Sequence, residues 1–123
     1  MILFKPGHVA PILAGAKTQT RRIWKKCRVN SGSIHLAKTK MISKDFFARL
    51  EILDTRRERL GEISESDATC EGYHSRLAFL IAFANINFKR SSPFQNEDDL
   101  IEFDDEVGFL EKEVYVVSFK VIP

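Results

Sequence analysis

Between Phe46 and Leu53 the chain alternates two sets of side chains. Phe46, Ala48, Leu50 and Ile52 fall on one side, and Phe47, Arg49, Glu51 and Leu53 on the other. Only an extended strand separates such sets, and its apolar face has to be covered. Asp54 to Leu60 extends this strand. Shorter β-like segments lie at both ends of the chain. Met1 to Phe4 is an apolar strand, and Val114 to Val121 sets Tyr115, Val117, Phe119 and Val121 on one face. Lys17 to Ile23 is β-compatible, and Ser33 to Thr39 reads as a strand with Ile34 and Leu36 on one face. A sheet of short strands must deal with its open edges. Closing it into a small, mostly antiparallel barrel does so.

Helices fall between the strands. Pro6 and Pro11 suit the approach and first turn of a helix ending at Ala14, with Gly15 just beyond it. Ser64 caps another, with Asp67 three residues later in a variant of the capping box, and Gly72 ends it. Ser75 to Asn87 is a third, and it is apolar all round. Leu77, Leu80, Ile81 and Ala84 form one face, and Phe79, Phe83 and Ile86 another. One face packs on the chain's own sheet, and the second needs a cover. Either a second copy of the chain covers it, as a homodimer through Leu77–Asn87, or residues 88–112 do, with Phe94, Leu100, Ile101, Phe103, Phe109 and Leu110. The homodimer is the preferred expectation, since isologous pairing commonly buries such patches. Residues 88–112 themselves read as an irregular acidic insertion broken at Ser91, Ser92 and Pro93. The expected architecture is α+β, in one domain of 123 residues.

Charge is divided between the halves. Residues 1–60 hold 14 Lys/Arg and 4 Asp/Glu, a balance of +10, while residues 61–123 hold 5 and 13, a balance of −8. Such a split accompanies a polyanion-facing surface, or else the halves neutralise each other across the fold. The longest uncharged apolar run, Leu77 to Phe88, is too short to span a bilayer, and no export signal opens the chain. Cys27 and Cys70 make no disulfide framework, so a cytoplasmic protein is expected.

Chemistry concentrates in GAKTQTRRIWKK, residues 15–26. A Walker phosphate loop is excluded: Ala16 precedes the lysine, the upstream glycine is missing, and a helix leads in. His8, His35 and His74 are scattered, and Gly72 breaks the helix that would align Cys70 with His74, so neither metal nor cofactor is expected. On a strand starting at Lys17, that residue shares a face with Gln19 and Arg21, opposite Thr18, Thr20 and Arg22. A bulge or twist would be needed to bring Lys17 and Thr20 into one pocket. There a buried lysine of lowered pKa can deprotonate a hydroxyl; the alternative is a plain half-exposed strand. Glu71 falls in the last turn of its helix, where the dipole disfavours an anion. It is either solvated or compensated by a cation such as Lys17. Arg21, Arg22, Lys25, Lys26 and Arg28 are candidate phosphate contacts. Trp24 either stacks on an unpaired base or belongs to the core.

Gly15, Lys17, Thr18, Thr20 and Arg22 match the GxKTxTxR signature of the ASCH domain, a branch of the PUA-like superfamily. MILFKPGHVAPILAGAKTQTRR resembles the family's opening strand, helix and motif. GEISESDATCEGY is similar to its central acidic helix, and EVYVVSFKV to its closing strand. The resemblance implies a small PUA-like β-barrel with a cleft beside the first helix, and RNA binding. A bacterial branch hydrolyses acetylcytidine with a Lys, a Thr and a Glu, which the resemblance matches to Lys17, Thr20 and Glu71. Lys17 would accept the proton of Thr20, Thr20 would attack the acyl carbon, and Glu71 would polarise Lys17 or protonate the leaving amine. Three functions are therefore expected: first, a module binding single-stranded RNA or a modified nucleoside in a basic cleft; second, a metal-independent amidohydrolase acting on acetylcytidine; third, a protein-interaction adaptor. The run Arg-Ile-Trp-Lys-Lys after the motif favours nucleic acid.

Overall fold

A computed structural model describes residues 1–123. Its strands are β1 (Ile2–Leu3), β2 (Gln19–Arg22), β3 (Ile34–Lys38), β4 (Ala48–Arg59) and β5 (Glu113–Ile122). They form one sheet in the order β1-β3-β4-β5-β2. β1 runs parallel to β3, and every other neighbouring pair is antiparallel. The helices are α1 (Val9–Leu13), entered through a 3-10 turn at Pro6–His8, α2 (Glu65–Cys70), α3 (Arg76–Asn87) and α4 (Glu97–Val107).

The sheet curls until its two outer strands approach each other. Arg22 on β2 donates from Nη2 to the Leu3 carbonyl on β1 at 2.6 Å, and its guanidinium lies 4.9 Å from the centre of the Phe4 ring. No backbone ladder joins β1 to β2. The expected barrel is thus a half-barrel, and a side chain fastens its seam.

β4 changes phase along its length. Ile52 pairs with Phe119 and Asp54 with Ser118, so Leu53 is an extra residue without a partner on β5. Such a bulge flips which residues face which side. Before it, Ala48, Leu50 and Ile52 are buried with Val117 and Phe119 in a core closed by Ile2, Phe4 and Ile12. After it, Arg56 and Glu58 pair with Val116 and Val114, which belong to a second core under the helices. β5 is therefore buried on both faces at Val116 and Val117, and not on the Tyr115–Val121 face alone. Two other expectations are corrected at the same sheet. Phe46 precedes the strand and is exposed, with Phe47 packing on the core in its place. On β3, Ile34 and Leu36 stand opposite Glu51 and Arg49, and the buried residue is Ala37.

The segment 88–112 is irregular only as far as residue 96, and the expectation is corrected beyond it. Asn96 accepts a hydrogen bond from the Asp99 amide and caps α4, whose first turn carries Glu97, Asp98 and Asp99 where the helix dipole favours anions. Gly108 ends it. Leu100 is buried and Phe103 packs beside it, while the acids stay outward. Phe88, Phe94, Phe103 and Phe109 form a chain of ring contacts at 5.1–5.9 Å. These rings share one core with Phe79, Leu80, Phe83 and Ala84 of α3, all buried within one chain. The apolar surplus that motivates a homodimer is taken up internally, leaving Leu77 and Ile86 partly exposed.

Candidate functional site

Four polar residues of the chain are buried: Lys17, Thr20, Arg21 and Glu71. All four line one cavity of about 320 Å³, in the seam between β1 and β2 and beneath α3. Buried charge is expensive unless it is paired, so their gathering in one place has to be built deliberately.

Two helix ends do the building. α1 stops at Ala14, and Gly15 takes a left-handed φ of 78° while Ala16 and Gly15 return hydrogen bonds to Pro11 and Ile12. α2 ends the same way: Gly72 has φ 97°, its amide bonds Thr69, and the Tyr73 amide bonds Ala68. Both are Schellman turns, which need a residue without a β-carbon penalty at the reversal. The first turn delivers Lys17, and the second holds Glu71 at the helix terminus. Lys17 precedes β2, which starts at Gln19, so strand alternation does not govern it. β2 pairs with β5 in unbroken register from Gln19 to Arg22, so no bulge within the strand brings Lys17 and Thr20 to one cavity. Because β2 is an edge strand, residues from both its faces, Thr20 and Arg22 as well as Arg21, reach the cavity.

Lys17 Nζ donates to Glu71 Oε1 at 2.9 Å, to the Glu71 carbonyl at 2.9 Å and to the Gln19 carbonyl at 3.0 Å. These three acceptors use all three hydrogens of an ammonium. Burial nevertheless pushes Lys17 below the ordinary lysine value, against the pull of Glu71. Glu71 Oε2 accepts from Arg21 Nη1 at 3.0 Å. Its carboxylate is thus compensated by two cations, which offsets its unfavourable place at a helix C-terminus.

Arg21 is fully enclosed. Its guanidinium also reaches Glu58 at 2.9 Å, Asp67 at 2.9 Å and the Gln19 side chain at 3.0 Å. Arg56 closes the network on the outside, bridging Glu58 and Asp67 at 2.8 Å each. Arg21 is spent on carboxylates inside the fold, not presented to a phosphate. Arg22 is partly buried, and its Nε donates to Thr20 Oγ1 at 2.9 Å. Its environment, chiefly burial, lowers its pKa. Trp24 is half-buried against the core, with the Arg28 guanidinium 5.7 Å from its ring centre and Tyr115 at 6.1 Å. Lys25, Lys26 and Arg28 are exposed and make no ion pair.

The cavity also holds a pair that the sequence did not single out together. His8 Nε2 and Tyr73 Oη lie 3.0 Å apart, from residues 65 positions apart in the chain. Burial, reinforced by the charges of Lys17 and Arg22, lowers His8 to about 4, and burial raises Tyr73. Phe4, Phe79 and Phe83 supply apolar wall. Tyr73 was within reach of sequence reasoning, since it follows the glycine that turns the chain back; His8 carried no local signal.

No protein-family model and no curated protein matches the chain. Solved structures do. The crystal structure of an ASCH domain from Lactobacillus crispatus JV V101 aligns with a TM-score of 0.59 at 16% identity, over 92% of this chain and 69% of that one. The crystal structure of an Enterococcus faecalis V583 protein of the DUF984 family aligns with a TM-score of 0.58 at 12% identity, over 99% of this chain and 82% of that one. With its curled five-stranded sheet, its helix pair at the seam and these structural neighbours, the chain has the α+β fold of an ASCH domain.

Proposed function

We propose that the seam cavity binds a modified nucleoside and hydrolyses its acyl amide, acetylcytidine being the substrate the sequence motif implies. The observation that carries this reading is the Lys17–Glu71 contact of 2.9 Å between two buried residues, in a cavity that Thr20 also lines. A purely structural ion pair needs no hydroxyl-bearing residue on the same cavity wall. Lys17 is held where loss of its proton is eased by burial. In its amine form it keeps two of its three acceptors and frees a lone pair. That lone pair takes the Thr20 proton as Thr20 Oγ1 bonds to the acyl carbon. Arg22 Nε–H, donating to the same oxygen, orients it and eases loss of its proton before attack. The C–N bond then breaks, Lys17 returns the proton to the departing amine, and water hydrolyses the acyl-Thr20 ester. Glu71 and the Gln19 carbonyl fix the lysine throughout.

The test is release of cytidine from acetylcytidine by the wild-type chain, with Lys17→Ala and Thr20→Val as controls. No release by the wild type, at nucleoside concentrations that fill the cavity, would overturn the catalytic reading.

A second reading has its own support. Lys25, Lys26 and Arg28 are exposed, unpaired and next to Trp24, a combination suited to single-stranded RNA. The acylated base would then enter the cavity as part of a strand, with these cations on its phosphates.

A further inference from the structure

Resting on the nucleoside reading of the cavity, we propose that His8 and Tyr73 read the heteroatom edge of the bound base, selecting a heteroaromatic ring over an all-carbon ring of the same size. The two side chains touch each other at 3.0 Å and have no other side-chain hydrogen-bond partner in the protein. Both line the cavity that holds Lys17, Thr20 and Glu71. Their remaining hydrogen-bonding capacity is therefore unspent.

What remains does not depend on the tautomer. If Tyr73 donates to His8 Nε2, the imidazole keeps an Nδ1–H donor and the phenol oxygen keeps its lone pairs. If His8 Nε2–H donates to Tyr73, the phenol keeps its O–H and Nδ1 becomes an acceptor. Either way the pair offers one donor and one acceptor. The edge of an amino-heteroaromatic base carries donors and acceptors side by side, whereas a phenyl ring carries none. At physiological pH the imidazole stays neutral, because burial and the neighbouring Lys17 and Arg22 disfavour its cation. The pair is thus a fixed donor–acceptor couple and not a charge.

The surrounding rings hold it in place. Tyr73 meets His8 edge-on at 6.1 Å and Phe79 at 5.7 Å, and Phe79 meets Phe83 at 5.6 Å. A flat ligand ring has aromatic faces to lie against and one polar edge to satisfy, the division of labour usual in small-molecule sites.

Two variants keep the rings and remove the polar atoms: Tyr73→Phe and His8→Phe. Calorimetric titration with cytidine and with phenyl riboside, which has a benzene ring in place of the base, reads the selectivity directly. Each variant should weaken cytidine binding about tenfold, the order of one lost hydrogen bond to a neutral group, and leave phenyl riboside unchanged. The double variant should be little worse than either single one, since the couple acts as a unit. A wild-type cytidine-to-phenyl ratio in both variants would overturn the proposal. So would an equal loss for both ligands, which marks a structural role alone. Wild-type binding of cytidine without hydrolysis of acetylcytidine would sink the catalytic reading and leave this selectivity standing if the variants behave as stated. A wild type that binds no nucleoside at all would overturn both.

Discussion

Glu71 Oε1 and Lys17 Nζ lie 2.9 Å apart in the protein interior, although 54 residues separate them in the chain. Glu71 favours the charged lysine, and burial opposes it more strongly. Replacing Glu71 with Gln withdraws the favourable charge, so Lys17 should lose its proton at lower pH. The acid limb of the pH profile of kcat/KM for acetylcytidine should therefore move to lower pH, even as the rate at its plateau falls. An unmoved limb would mean that another group titrates.

Lys17→Ala should reduce kcat for acetylcytidine by about 100- to 10,000-fold, the usual range for a lost general base. Thr20→Ser should retain activity, and Thr20→Val should lose it. Cytidine release followed by chromatography distinguishes them. Equal loss in the serine and valine variants would remove the nucleophile role.

Arg21→Ala leaves Glu58, Asp67 and Glu71 without their shared cation. Unfolding in denaturant should show a loss of about 3–5 kcal/mol, typical of a broken buried ion pair. Arg56→Ala, at the exposed margin of the same network, should cost about 1 kcal/mol or less. A similar loss from both would refute the view that Arg21 is the centre of the network.

If single-stranded RNA binds the basic segment, affinity should fall with salt by a log–log slope of about −0.7 per phosphate neutralised. Replacing Lys25, Lys26 and Arg28 together with Ala should flatten that slope. Arg22 is left out of this set because it already serves Thr20 and Leu3. A wild type and a triple variant with the same slope would move the RNA elsewhere or exclude it.

His8 titrates near 4 in the folded chain, against an ordinary value of 6.5. Below 6.5 the unfolded chain takes up a proton that the folded chain refuses, so stability falls as pH drops from 6.5 towards 4. His8→Phe should flatten this part of the thermal-stability profile. Identical profiles for variant and wild type would contradict a neutral, enclosed imidazole.

Much of this was legible in the sequence, and what was not has physical reasons. The Ser64 cap and the glycine stops at Gly15 and Gly72 are local signals, and all three appear where expected. Glu71 was conspicuous for the same reason, as an anion at the wrong end of a helix. α4 was missed because its acidic composition outweighed its Asn96 cap and the Leu100–Phe103 spacing. The burial of Arg21 could not be read, since its carboxylates come from β4 and α2, 37 to 50 residues away. The His8–Tyr73 contact depends on the curl of the whole sheet, which no window of sequence encodes.

The unpaired Leu53 sets a limit on how this chain can vary. Deleting it would keep every pair of the ladder, whereas flattening the bulge so that Leu53 paired with Ser118 would move Asp54 to Arg59 one place along β5. Every side chain from Asp54 to Arg59 would then exchange sides. Glu58 would point away from Arg21, and Arg56 away from Asp67, with no residue of the cavity altered. That one-place slip would act there as a frameshift acts on a message: each letter intact, each read in the wrong phase.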